Sequence, residues 1–171
     1  FVGTAVLKIT NNTISNNTGG GDGGGIKLYW WGSNAAIISG NTISNNIGSE
    51  GGGIKADGYA IISGNTIEDN KAGRYDSYDG SFRLDGKGGG IKARSGIQIL
   101  NNVIRGNQAN EGGGIAEGGT ITGNIIINNT GAGIYNSEYT FLLSNNFILN
   151  NSGVGVFADA DDQLTVTGNV I

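Results

Sequence analysis

Seven short phrases, NNTISNN, GNTISNN, GNTIEDN, NNVIRGN, GNIIINN, NNFILNN and GNVI, carry an asparagine at the same place: Asn12, Asn41, Asn65, Asn102, Asn124, Asn146 and Asn169. They are separated by 29, 24, 37, 22, 22 and 23 residues. A unit this short cannot enclose its own apolar side chains, so successive units must stack, and the period predicts a solenoid.

A second asparagine follows in each complete copy, at Asn17, Asn46, Asn70, Asn107, Asn129 and Asn151. A glycine-rich approach to a β-branched residue comes next, ending at Ile26, Ile54, Ile91, Ile115, Ile134 and Val156. Each unit therefore holds three short extended runs: one before the first asparagine, one between the two, and one at the glycines. Apolar residues alternate with Thr or Ser between Gly and Asn punctuation, and no run shows a helical period. The expected fold is all-β, a parallel β-helix of about seven coils with three short strands each. Rungs spaced about 4.8 Å apart give a rod roughly 30 Å long. Right-handed winding is the default for parallel crossovers. Leu7, Ile9 and Ile14 are examples of the core positions.

The asparagine columns have a physical cause, because an Asn amide can bond its own turn and the Asn one coil away. The residues just before the first column are Asn11, Gly40, Gly64, Asn101, Gly123, Asn145 and Gly168, all types that tolerate a left-handed bend.

Composition sets limits. The 171 residues include 34 Gly and no His, Cys, Pro or Met, with 10 basic against 14 acidic side chains. Serine or cysteine nucleophiles activated by histidine are excluded, as is an ordinary zinc site. A net charge of −4 gives no electrostatic case for nucleic acid. Aliphatic runs are too short to span a bilayer as a helix. No cofactor or metal is implied; Asp161 and Asp162 read as a turn, since neighbouring strand residues point oppositely. The start at Phe1 reads as a processed or excised segment.

The pairing of phrases such as ISGNTISNN with a following GGGI resembles secreted right-handed β-helix repeat proteins, in particular the polymorphic outer-membrane and adhesin-like proteins that alternate a GGA(I/L/V) box with an FxxN box. FILN, at 147–150, is the one literal FxxN, and the third Gly replaces the family's Ala. The resemblance covers nearly the whole chain and implies an extracellular or cell-surface structural or adhesive module. The same superfamily includes pectate-lyase-like enzymes, so a carbohydrate-binding or polysaccharide-degrading β-helix is the alternative, with polysaccharide as the partner. No catalytic residues are assigned.

Candidate ligand residues follow the glycine strands. Lys27, Lys55 and Lys92 form one column, with Tyr29, Asp57 and Arg94 two residues on, and alternation predicts both columns to face outward. Asp22, Glu50 and Glu111 are placed to screen the lysines. Trp30 and Trp31 extend the first glycine strand, and an insertion loop at 71–87 brings Arg74, Tyr75 and Tyr78 to the rim of a single domain spanning 1–171. Asn11, Asn16, Asn128 and Asn150 open N-x-Ser/Thr sequons at positions expected to face solvent. A threonine column of the ice-binding kind starts at Thr13, Thr42 and Thr66 but fails at Val103, Ile125, Phe147 and Val170. The ends carry no covering helix in this sequence, so the expected partners there are copies of the chain or the rest of a longer β-helix.

Overall fold

The computed structural model describes residues 6–32, 34–94, 96–137, 140–159 and 163–171. Asp161 and Asp162 lie outside these residues. Among the described residues there is no helix, and three parallel sheets run the length of the molecule. The first stacks Lys8–Thr10, Ala36–Ser39, Ala60–Ser63, Gln98–Leu100, Thr120–Thr122, Thr140–Ser144 and Gln163–Thr167 in chain order. The second stacks Thr13–Ser15, Thr42–Ser44, Thr66–Glu68, Val103–Arg105, Ile125–Ile127 and Phe147–Leu149. The third stacks Ile26–Trp30, Ile54–Gly58, Ile91–Ala93, Ile115–Ala116, Ile134–Asn136 and Val156–Ala158.

Register brings like onto like. Ile14, Ile43, Ile67, Ile104, Ile126 and Ile148 are successive partners in the second sheet. Ile26, Ile54, Ile91, Ile115, Ile134 and Val156 are successive partners in the third. With Ile38, Ile62, Ile99 and Ile121 of the first sheet, these columns form one continuous core. Leu7, Ile9 and Ile14 pack against it partly buried. β-branched side chains suit such columns because they pack well on a pleated surface and are stiff at χ1.

Strands stay short because the chain turns after each. Every residue before a first-ladder asparagine has positive φ, from 55° at Asn101 to 70° at Gly123. The residues before the second ladder, Asn16, Asn45, Asp69, Gly106, Asn128 and Asn150, behave the same way. At each corner the ladder amide then satisfies the backbone that the turn exposes. Asn65 is 1% exposed; its Nδ2 donates to Asn102 Oδ1 (2.9 Å), Ile38 O (2.9 Å) and Ser63 O (3.1 Å). Its Oδ1 accepts from the backbone N and the Nδ2 of Asn41, both at 2.9 Å. The second ladder repeats the bond through Asn46, Asn70, Asn107, Asn129 and Asn151.

Two glycines of the GGGI phrase have separate reasons. Gly88 turns the chain at φ +67°. Gly90 lies where a Cβ would sit 2.7 Å from Gly114 O and 3.1 Å from Asn107 Nδ2, so the third sheet closes onto the second ladder only without a side chain there.

The 71–87 segment is more ordered than a loop. Lys71–Ala72 continues the solenoid by pairing with Ile47–Gly48, and Arg74–Tyr75 then pairs antiparallel with Phe82–Arg83. The result is a hairpin projecting from the coil between Asn70 and Gly88.

Candidate functional site

The outer face of the third sheet departs from expectation. Lys27 is exposed and lies 3.7 Å from Asp22, but Lys55 and Lys92 are buried, as is Asp57. The single exposed lysine column therefore fails at Lys55 and Lys92. Glu50 meets Lys55 at 2.5 Å, and Arg94 meets Asp57 at 2.7 Å. Glu111 does not screen Lys92; it pairs at 2.6 Å with Lys87 from the insertion. Lys92 pairs with Glu117 one coil on. The reason is local: the register partner of Lys92 is Ala116, which is small and buried, and Glu117 sits at φ +62°. Removing charges from water is costly unless each is paired, and here each buried lysine has a carboxylate.

Glu50 and Lys87 carry shifted pKa values. Burial acts to raise the Glu50 carboxyl, but the hydrogen bond and charge of Lys55, backed by Lys92 and Lys87, hold it below 4.5. The hydrogen bond to Glu111 raises Lys87 above 10.5, against the effect of burial. A depressed carboxyl stabilises the fold above its unfolded value, and that contribution is lost as pH falls through the folded value. A raised amine contributes below its unfolded value, and this is lost as pH rises through the folded one. Melting temperature is thus expected to fall on both limbs. In thermal melts between about pH 5 and pH 3, Glu50→Gln should flatten the acid limb relative to wild type; an unchanged slope contradicts the role of Glu50.

Aromatic residues collect at the strand ends. Trp30 is held by its loop, with Nε1 donating to Asn34 O at 2.7 Å, and packs partly buried against the core. Trp31 and Tyr59 meet edge to face at 6.3 Å, and both are more than half exposed, as is Tyr29. Tyr59 was not singled out in the sequence; its signal is register, because Trp30 pairs with Gly58 and so carries Trp31 over the next residue. Tyr135 and Phe157, also missed, stack at 4.7 Å and 5°, with Lys87 Nζ 5.4 Å from the Tyr135 centroid.

On the hairpin, Arg74 pairs with Asp85 at 3.0 Å and Arg83 with Asp76 at 2.7 Å. Tyr78 at the turn is 97% exposed. A groove of about 360 Å³ is lined by Arg74, Tyr75, Asp76, Ser77 and Arg83. A second of about 210 Å³ lies between Gly73, Arg74 and Tyr75 on one side and Thr18, Gly19, Gly20, Ile47 and Ser49 on the other. The third-sheet candidates and the hairpin candidates are thus separate groups. Asn11, Asn16, Asn128 and Asn150 are exposed at their corners. Among the described residues no three His, Cys, Asp or Glu side chains converge as metal ligands, and no helix is long and apolar enough to cross a membrane.

Stacked parallel sheets, in-register isoleucine columns and two asparagine ladders define a parallel β-helix solenoid. The description of the right-handed β-helix region matches residues 1–171, and the chain belongs to that family. No curated protein and no solved structure matches it.

Proposed function

We propose that the chain is an extracellular structural and adhesive module, a stiff rod that holds glycan on aromatic side chains at its edge. The observation that carries this reading is the exposed group of Tyr29, Trp31 and Tyr59 at and just past the end of an in-register strand pair. Rings held on a rigid scaffold offer apolar faces at little cost in conformational entropy. Lys27, 5.4 Å from the Tyr29 centroid, adds a donor beside them. Placement outside the cell rests on the resemblance to secreted surface repeats. The expected result on a glycan array is binding that weakens at least ten-fold in Trp31→Ala and Tyr59→Ala. No retention of any glycan contradicts the reading, and release of unsaturated or reducing sugar from uronate polymers replaces it with a lyase-like one.

A second reading concerns the partner along the axis. Both ladders are directional, with each Asn donating to the Oδ1 of the coil that follows. Leu164 and Val166, partners of the core residues Phe141 and Leu143, are nearly half exposed. A further coil of the same design, from the same polypeptide or another copy, would bury them and continue the hydrogen bonding. Sedimentation velocity at rising concentration tests the version with copies, which predicts growing linear species; a constant monomer rejects it.

A further inference from the structure

We propose that the groove beside the inserted hairpin takes a neutral pyranose unit of that glycan, an inference that rests on the adhesive reading above. Sequence alone drew attention to the lysine columns, but Lys27, Lys55 and Lys92 are each matched by a carboxylate. In the groove, Arg74 and Arg83 each meet a carboxylate through Nε, Asp85 and Asp76 respectively. A guanidinium has five N–H donors, so the terminal amino groups keep donors to spare. Asp76 accepts the Tyr78 backbone N–H on Oδ1 at 2.8 Å and Arg83 on Oδ2, and a carboxylate has about four acceptor sites, so acceptors remain as well. Donors and acceptors standing side by side suit vicinal hydroxyls, each of which both gives and takes a hydrogen bond. A carboxylate or sulfate ligand would instead face Asp76, with Asp79 and Asp85 close behind, and be repelled by their like charge.

The apolar half of the recognition is Tyr75. Its ring is braced edge-on by Phe82 at 5.1 Å and 67°, while the residue is 56% exposed. A braced ring with an open face stacks on the C–H face of a sugar without losing rotamer freedom on binding. The turn is fixed as well: Asp76 N–H donates to Ser81 O at 2.8 Å and Gly80 N–H to Asp76 O at 2.9 Å. The volume of about 360 Å³ lies at the small end of ligand sites, and Arg74 and Tyr75 also line the adjoining 210 Å³ groove, which gives a polymer a way onward.

The test is calorimetric titration of the full chain with neutral hexose trimers (β-glucan, α-mannan and β-galactan series) and with trigalacturonate. At least one neutral trimer is expected to bind, with affinity falling ten-fold or more in Tyr75→Ala and Arg83→Gln, and to be retained in Tyr75→Phe and in the remote control Gln98→Ala. Neutral binding that survives both Tyr75→Ala and Arg83→Gln overturns the groove while leaving the adhesive reading intact. Preference for trigalacturonate overturns the neutral class. No binding by any trimer, together with an empty glycan array, overturns both.

Discussion

Asn65→Ala should destabilise the protein by about 4 kcal/mol, the effect expected of a fully bonded, buried ladder side chain. The substitution strips five hydrogen bonds from a side chain that is almost wholly buried. It leaves the Asn41 backbone N–H without its acceptor and Ile38 O without its side-chain donor, both shut away from water. Each buried orphan costs about 1–3 kcal/mol, which together exceed the net value of the bonds themselves. For a domain of this size that is a fall in Tm of roughly 8–16 °C. Asn12→Ala is the matched control. Asn12 belongs to the same ladder but is exposed, so water replaces what is lost and the cost should be about 1 kcal/mol. Chemical denaturation of the two variants checks the difference; equal losses would mean that the ladder is decoration on a fold held by its isoleucines.

Gly90→Ala should cost a comparable amount, roughly 3 kcal/mol or more, with failure to accumulate folded protein a natural outcome. The new methyl would lie 2.7 Å from Gly114 O and 3.0 Å from Ile104 Cγ2. The first of these is backbone of the next coil and cannot yield without opening the third sheet. Gly64→Ala isolates the conformational part of a glycine's role. Gly64 has φ +61° and no atom within 4 Å of its would-be Cβ, so the left-handed penalty of about 1–2 kcal/mol should be the whole cost. A Gly90→Ala protein as stable as Gly64→Ala would show that the coils do not approach as closely as described.

The fold was readable because its period is written in residues with few other uses. Asparagine before a β-branched residue, glycine or asparagine at each corner and GGGI at fixed distance are each demanded by stacked turns, and all fall in register. What the sequence concealed depends on the neighbouring coil. Lys92 looks like an exposed lysine on an outward position until Glu117 arrives from 25 residues downstream. Glu111 looks like its screen until the insertion supplies Lys87. Alternation gives the side of the sheet a residue faces, but not what covers that side. The hairpin was hidden for a related reason: RYDSYDGSFR carries a D-G turn between aromatic and cationic residues, a two-stranded antiparallel signal inside a chain otherwise made of short parallel strands. Tyr59 was missed because its role depends on lying under Trp31, a relation that register alone creates.

The central claim, direct stacking of equivalent residues on successive coils, is open to covalent measurement because the chain has no cysteine. Thr42 and Thr66 are Cα partners on the outer face of the second sheet, and Val103 stands one rung further along. Adjacent parallel strands place such partners about 4.8 Å apart, inside the range a disulfide bridges, whereas two rungs separate a pair by about twice that distance. Under mild oxidation, Thr42→Cys with Thr66→Cys should form an intramolecular disulfide without loss of structure, and Thr42→Cys with Val103→Cys should stay reduced. The reverse pattern, or a folded Thr42/Thr66 pair that never closes, would contradict the stacked β-helix.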